Sequence, residues 1–273
     1  MKRWRVIIDE TRDGYQNMAL DEAIMTAHRS GEVPPTLRFY RWQPPALSLG
    51  YFQNLKEEVD LSACRDKGVD VVRRLTGGRA ILHDDELTYS LTVNESLDIL
   101  ADSVVESYHQ ISRALVAGLQ RLDIPVELKA REKDKKAPRG RSSACFDAPS
   151  WYEVVVDGKK LIGSAQTRKK GTILQHGSLP FSSDSDIIFS LFSFDSERER
   201  EKMRRYYSLK STTLEESAEE KITWQELTEA LSRGIAEVFS VELERDGLRP
   251  REKELADRLR KEKYSSEEWN AKR

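Results

Sequence analysis

The chain has 273 residues, with 45 Lys and Arg against 47 Asp and Glu and a net charge of −2. That balance excludes the global basic footprint of a nucleic-acid binder, and no apolar run is long enough to cross a bilayer. Two cysteines, Cys64 and Cys145, make no disulfide framework, and histidines 28, 83, 109 and 176 lack metal-ligand spacing. The expectation is a globular protein of a reducing cytoplasm, with no membrane, nucleic-acid or metal partner. No signal-peptide core follows Met1-Lys2-Arg3.

Trp4 to Ile8 reads as a first strand. Asn17 to Ser30 predicts a helix, with Leu20, Ala23, Ile24 and Ala27 on one stripe and Asn17 as N-cap. Leu37 to Trp42 and Ala46 to Gly50 read as strands around Gln43-Pro44-Pro45. Leu61 to Lys67 is a short helix stopped by Gly68, and Val69 to Leu75 a strand. Glu86 to Val93 alternates, Leu87, Tyr89, Leu91 and Val93 opposing Thr88, Ser90 and Thr92. Ser103-Val104-Val105-Glu106 has capping-box spacing. It opens a helix that buries Val104, Tyr108, Ile111, Leu115, Leu119 and Leu122 and leaves His109 on the surface. Val126 to Leu128 is a short strand, and Lys129 to Ser143 a charged loop.

Trp151 to Val156, Lys160 to Gln166 and Thr172 to Gly177 form a meander, turning at Asp157-Gly158 and at Arg168-Lys169-Lys170-Gly171. Beyond Phe181 the pattern is helical. Asp186 to Phe192, Glu197 to Tyr207 and Trp224 to Phe239 are candidates, the last capped by Thr223 with Glu226. Leu243 closes a strand. Glu252 to Lys263 is a charged helix, and Tyr264 to Trp269 a tail that docks back. Strands dominate the first two-thirds and helices the rest, so the fold class is α+β, with a mixed, largely antiparallel sheet flanked by helices and a helical C-terminal part.

Two stretches carry candidate chemistry. Cys145 sits on a loop just before the meander, because Pro149 biases Ala148 toward extended backbone. Arg139, Arg141, Lys159 and Lys160 make its setting electropositive, which favours thiolate. Cys64, in an amphipathic helix, reads as a small core residue. Lys159 and Lys160 are adjacent on a strand, so one of them faces the site. In the second stretch, Thr76-Gly77-Gly78 lies between two strands with Arg73, Arg74 and Arg79 around it. Paired glycines bring backbone N–H groups close to a ligand, although an ordinary hairpin turn has the same sequence. Alternation sends Arg73 and Arg74 to opposite faces. His83, taken alone, reads as satisfying a backbone carbonyl.

Arg73-Arg74-Leu75-Thr76-Gly77-Gly78, with His83 and Tyr89-Ser90, resembles the signature of the lipoate–protein ligase, biotin ligase and octanoyltransferase superfamily. Lys160-Leu161-Ile162-Gly163-Ser164-Ala165-Gln166 is similar to its lysine segment. Ser143 to Glu153, around Cys145, resembles the cysteine loop of the LipM-type octanoyltransferases. The likeness continues through Gln175-His176-Gly177-Ser178 to Trp269-Asn270. Arg79 stands where the ligases carry a third glycine, which departs from an adenylate-forming cradle.

The resemblance implies a biotin/lipoate ligase-like catalytic domain over residues 1–247, with a C-terminal helical extension over 248–273 packing on it. It implies octanoyl transfer from acyl carrier protein to a lysine of a lipoyl-accepting protein, the glycine-cleavage H protein or another lipoyl domain. Cys145 and Lys160 are then catalytic. Arg74, Thr76, Gly77, Gly78, Arg79, His83, Ser164, Ala165, Gln166, His176 and Gly177 bind substrate. The donor carries phosphopantetheine, and no ATP or other cofactor is required. Three alternatives stay open: an ATP-dependent lipoate ligase, an amidotransferase moving octanoyl from H protein to dehydrogenase domains, and an inactive acyl-binding module. Residues 131–141 hold six cations against two acids. Lys133, Lys135 and Lys136, with Lys169 at the hairpin tip, are therefore candidates for docking an acidic carrier protein.

Overall fold

The computed structural model describes residues 2–97, 100, 103–130 and 152–272. Cys145, Lys133, Lys135 and Lys136 lie outside them. The strands are β1 (Lys2–Arg12), β2 (Thr36–Trp42), β3 (Ala46–Leu49), β4 (Asp70–Arg73), β5 (Ile81–His83), β6 (Glu86–Asn94), β7 (Val126–Ala130), β8 (Tyr152–Val156), β9 (Lys159–Lys169), β10 (Thr172–Pro180) and β11 (Val241–Arg245). The helices are α1 (Gly14–Arg29), α2 (Leu55–Glu58), α3 (Leu61–Asp66), α4 (Val104–Leu119), α5 (Ser185–Ser190), α6 (Glu197–Lys210), α7 (Leu214–Ser217), α8 (Trp224–Phe239), α9 (Pro250–Leu259) and α10 (Glu267–Asn270). A π-helical turn, Arg260–Tyr264, extends α9.

The main sheet runs β11-β1-β2-β6-β10-β9-β8-β7. β1 pairs in parallel with β11 and β2, and the remaining pairings are antiparallel. This is the mixed, largely antiparallel α+β sheet expected from the sequence. Its central strand β6 is buried on both faces, so Thr88, Ser90 and Thr92 are as inaccessible as the apolar residues alternating with them. On one face Leu87, Tyr89, Leu91 and Val93 join Leu115 and Ile111 of α4 and Leu227 and Leu231 of α8 in the largest core. On the other face α1 lies beneath α9, with Met18, Leu20, Tyr40, Ala256 and Tyr264 in contact. A smaller sheet, β4-β3-β5, packs with α5 and α6 around Leu49, Cys64, Phe189 and Tyr207.

Both predicted tight turns form. Asp157 (φ 50°) and Gly158 (φ 74°) close one hairpin, and Lys170 (φ 52°) and Gly171 (φ 84°) the next. Thr223 and Glu226 form the capping box of α8. Two expectations fail locally. The first helix starts a turn earlier, with Asp13 accepting from Gln16 N–H as the cap. Asn17 is instead fully buried, donating to the carbonyl of Arg41 and accepting from Arg38. Val104, in the first turn of α4, points to solvent. Ser103 still caps that helix by accepting from Glu106 N–H.

The C-terminal segment is tied to the sheet by charge as well as packing. Arg5 and Glu252, each 1% exposed, form a bidentate pair at 2.8 and 2.6 Å. Removing one partner of such a pair leaves an uncompensated buried charge, which costs about 3–5 kcal/mol. Cys64 is a core residue, as expected, and burial pushes its thiol up to about 11. Among the described residues no helix is long and apolar enough to cross a membrane.

Candidate active site

β3 lies between β4 and β5, so residues 74–80 cross the end of β3 and close no hairpin. Arg74 laces this crossing. Its Nε donates to Thr76 Oγ1 (3.0 Å), and its Nη1 to the Ser48 carbonyl (2.8 Å) and Oγ (3.1 Å). Its Nη2 donates to the carbonyls of Gly77 (2.8 Å) and Arg79 (2.7 Å). Because the peptide is planar and trans, drawing the Gly77 carbonyl toward Arg74 turns the Gly78 N–H the other way. Gly78 sits at φ 92°, a conformation L-residues rarely adopt. Loop 50–53 presses against it. A Cβ on Gly50 would fall 1.9 Å from the Gly78 carbonyl oxygen, and Tyr51 N–H donates to the Thr76 carbonyl.

Arg73 points to the opposite side, as alternation required. Its guanidinium donates to the carbonyls of Gly50 (2.9 Å), Gln53 (2.8 Å) and Asn270 (2.8 Å). Its backbone N–H donates to Asn270 Oδ1, and Trp269 Nε1 donates to its carbonyl, both at 2.8 Å. The expected docking of the C-terminal tail is therefore a latch closed on Arg73.

Two carboxylate–histidine–hydroxyl relays converge on Arg74. In the first, His176 Nδ1 meets Asp21 Oδ2 (3.2 Å) and Nε2 meets Thr76 Oγ1 (2.7 Å). In the second, His83 Nδ1 meets Glu86 Oε1 (2.8 Å) and Nε2 meets Ser48 Oγ (2.7 Å). Each carboxylate accepts, so each Nδ1 carries a proton, and in His176, which burial keeps neutral, Nε2 accepts from the Thr76 hydroxyl. Both hydroxyl oxygens accept in turn from Arg74. His83 thus binds side chains, not the backbone carbonyl expected for it, and stacks on Trp42 at 4.0 Å. Glu86 also accepts from Thr88 and Ser178. Burial holds His176 below the ordinary imidazole range, against the hydrogen bond and charge of Asp21. Burial also pushes Asp21 up, but the His176 hydrogen bond and the Arg38 charge together outweigh it, and its carboxyl lies below the ordinary range. Arg38 is itself fully buried between Asp21 (2.8 Å) and Asp9 (2.8 Å).

Lys160 reaches the same face through a backbone irregularity. Simple alternation along β9 would group Lys160 with Ile162, Ser164 and Gln166. The register against β8 shifts, however, so that Val154 pairs with Ile162 and Val155 with Lys160. Leu161 and Ile162 both pack in the α4–α8 core, and Lys160 turns to the face that carries Ala165 and His176. A β-bulge re-aims side chains in this way. Lys160 is 4% exposed and pairs with Glu153 at 3.2 Å.

Of the predicted substrate-binding residues, Arg74, Thr76, Gly77, Gly78, Arg79, His83 and His176 cluster here. Ala165 joins them, with its Cβ 4.0 Å from the Cβ position of Gly78. Ser164 and Gln166 point to the other face. Ser164 Oγ meets Tyr89 OH (2.8 Å), and Gln166 accepts from Ser107 of α4 (3.1 Å) and donates to Gln175 (2.9 Å). Gly177 makes room there, because a Cβ on it would lie 2.6 Å from both Ser164 Oγ and the Tyr89 ring. Lys169 is exposed at the β9–β10 hairpin tip. His109 is half-buried and stacks on Tyr152 at 4.3 Å, so it is not the bare surface residue expected. Beside the site, a 210 Å³ cavity has Ile81, Leu82, Pro180, Ile188 and Tyr207 in its wall, next to Glu86 and Ser178.

Sequence reasoning missed Asp21, Arg38, Ser48, Gly50, Glu86 and Glu153. Asp21 carried a signal, since it follows Leu20 and precedes Ile24 by one helical step on the buried stripe. Arg38 did too, alternating with core Leu37 and Phe39.

The sequence matches the lipoyl protein ligase A/B catalytic domain over residues 13–236. It is 46% identical to the octanoyltransferase LipM of Brevibacillus brevis over the full length of both chains. It is 43% identical to that of Bacillus subtilis, over 99% of this chain and 98% of the relative. The fold superposes with a TM-score of 0.82 on a Thermoplasma acidophilum protein from a study of a bipartite lipoate protein ligase and its E2 lipoyl domain, at 27% identity over 99% of this chain and 97% of that one. An ATP-bound lipoate–protein ligase A gives 0.78, at 27% identity over 99% of both chains. The chain therefore belongs to the lipoyl protein ligase A/B catalytic-domain family and, within it, to the LipM octanoyltransferases.

Proposed function

We propose that the octanoyl group passes from acyl carrier protein to a lysine of a lipoyl-accepting protein, the glycine-cleavage H protein, through a thioester on Cys145. The Cys145 thiolate attacks the carbonyl of the carrier's pantetheine thioester. The carbonyl–sulfur bond to pantetheine breaks, the departing thiolate takes up the proton released when the Cys145 thiol ionised, and the octanoyl group stays on the Cys145 sulfur. The acceptor's lysine amine then attacks this thioester, forming the amide and returning the thiolate. Thioester exchange is close to isoenergetic and amide formation is downhill, so the sequence of steps needs no ATP. Lys160 supports the thiolate and the developing oxyanion. The Gly78 N–H, turned outward by Arg74, cradles the acyl carbonyl.

The observation that carries this reading is the bulge that turns Lys160 onto the face of His176 and the Gly77–Gly78 loop. A buried ammonium costs desolvation energy, and its retention on that face, paired with Glu153, supports a role for it in the proposed thioester chemistry. Cys145 stands seven residues before Tyr152, the first residue of β8, and β8 supplies Glu153. Lys133, Lys135, Lys136 and Lys169 serve in this reading as the carrier-protein dock. Residues 1–247 act as the catalytic unit and 248–273 as its packing extension.

Intact mass spectrometry after mixing with octanoyl carrier protein tests the reading. An octanoyl adduct is expected on wild type and on Cys64→Ala, and none on Cys145→Ala. An adduct that survives Cys145→Ala overturns it, as does ATP–pyrophosphate exchange with free lipoate in place of loading.

A further inference from the structure

We propose that Phe52, with the aromatic and lysine strip that runs from it across Tyr51, Trp269 and Lys272, is the docking surface for the lipoyl-domain acceptor. The proposal rests on the reading that the Gly77–Gly78 loop cradles the acyl carbonyl.

Phe52 is 67% exposed. Its ring carbons lie 3.8 and 3.9 Å from the position a Cβ on Gly77 would take, so the ring stands at the edge of the cradle. The strip continues without a gap. Tyr51 meets Phe52 edge-on at 5.0 Å and Trp269 at 5.8 Å. Lys272 Nζ donates to Tyr51 OH (3.0 Å) and sits 5.1 Å from the Trp269 ring. Lys263 Nζ lies 4.0 Å from the Trp269 ring, paired with Glu22. Among the described residues no carboxylate pairs with Lys272, while Lys263 is neutralised by Glu22 and exposed Glu267 and Glu268 precede Trp269, so the strip offers a single cation, Lys272, among its rings.

The geometry of the two substrates decides the occupant. A carrier protein delivers its thioester on a long pantetheine arm, so its body can rest well away from the cradle. The acceptor has a lysine's four-carbon stem alone. Its folded surface must therefore lie against what stands next to the acyl carbonyl, and among the described residues Phe52 is the exposed ring beside Gly77. An exposed aromatic ringed by polar groups is the kind of anchor that carries a protein interface. Lys272, beyond it, offers one cation to a carboxylate of the partner.

The rigidity of the strip supports the assignment. The Arg73 latch fixes the backbone of loop 50–53 to that of Trp269 and Asn270, so Phe52 and Trp269 are presented as one surface and little ordering is lost on binding.

The test uses the full chain and an unmodified lipoyl domain in calorimetric titration at several salt concentrations. Phe52→Ala should weaken the complex about tenfold or more, and Phe52→Tyr should restore most of it. Lys272→Glu should weaken binding and flatten its salt dependence. Octanoyl loading from carrier protein, and release of the loaded group by hydroxylamine, should be unchanged in Phe52→Ala. An unchanged dissociation constant in Phe52→Ala overturns the proposal. So does slower loading in that variant, which would place Phe52 in the acyl pocket. If wild type forms no octanoyl adduct, the thioester reading fails, and the titration still decides the docking surface by itself.

Discussion

Thr76 Oγ1 lies 2.7 Å from His176 Nε2, joining the Gly-Gly loop of the small sheet to β10 of the main sheet. Thr76 can donate to that nitrogen because Asp21 holds the proton on Nδ1, and its oxygen is then free to accept from Arg74 Nε. The loop's shape is thus set from behind by a carboxylate on α1. Ser48, His83 and Glu86 repeat the arrangement on the other side of Arg74. One guanidinium is held by two relays, and its remaining donors fix the Gly77 and Arg79 carbonyls.

The pH dependence of stability follows from His176. Burial lowers its folded pKa below the ordinary imidazole value of about 6.5. Below that pH the unfolded chain takes up a proton that the folded chain resists, so stability is lost as pH falls from about 6.5 through the folded value. Above pH 7 both states are neutral and the contribution is flat. His28 is lowered in the same direction, again by burial. His176→Gln should cost about 1–3 kcal/mol at pH 7.5 and reduce the fall in the urea midpoint between pH 7 and pH 5. A variant that keeps the full wild-type slope would remove His176 from this account.

Much of this was legible in the sequence, for identifiable reasons. Period-2 alternation placed β6, paired turn residues placed both hairpins, and Thr223 with Glu226 fixed the start of α8 to the residue. Alternation also split Arg73 from Arg74 correctly. What failed were features that depend on a partner distant in sequence. Asn17 looks like a cap because of its residue type, yet Arg38 and the Arg41 carbonyl bury it. His83 has one partner nearby, Glu86 three residues on, but its second, Ser48, comes from a different strand and carries no local signal. Ser164 and Gln166 were grouped with Ala165 by motif, while the pleat sends them to α4. The bulge at Leu161 is a property of the β8–β9 register, and no single-strand pattern contains it.

Gly50 should tolerate no side chain. A Cβ there would meet the Gly78 carbonyl oxygen at 1.9 Å, and that atom is backbone. Gly50→Ala must therefore displace the loop. A cost of about 1–3 kcal/mol is expected for such overpacking, with octanoyl loading reduced at least as strongly as thermal stability. Thermal melting and the rate of adduct formation, measured on the same preparation, would check it. A fully active, fully stable Gly50→Ala would mean that the contact is not maintained.

The Arg73 latch should be the main tie between the C-terminal tail and loop 50–53. Arg73→Met keeps length but leaves the Gly50, Gln53 and Asn270 carbonyls without their donor. About 3 kcal/mol or more of destabilisation is expected from this loss. Asn270→Ala removes the acceptor of the Arg73 N–H and should cost about 1 kcal/mol. Because both act on one latch, the double variant should cost less than the sum. Strict additivity in urea unfolding would show two independent contacts.

Glu153 should restrain the cation that the proposed mechanism uses. Lys160 Nζ lies 3.2 Å from Glu153 Oε1, and Lys160 is almost fully buried. A paired ammonium projects a weaker field than an isolated one, because the carboxylate cancels part of it at any third point. On the proposed mechanism that third point is the Cys145 sulfur. Glu153→Gln keeps the shape and a hydrogen-bond acceptor while removing the opposing charge. It should lower the apparent thiol pKa read from the pH profile of iodoacetamide alkylation, by about one unit for each 1.4 kcal/mol of added field. Lys160→Ala should move the same profile upward, and Lys159→Ala, whose strand position faces the other way, should leave it in place. The two shifts of opposite sign separate an electrostatic role from a structural one, since simple loosening of the strand would move both variants in one direction. Profiles that shift together, or a Glu153→Gln profile that coincides with wild type, would show that the Lys160–Glu153 pair does not act on the thiol.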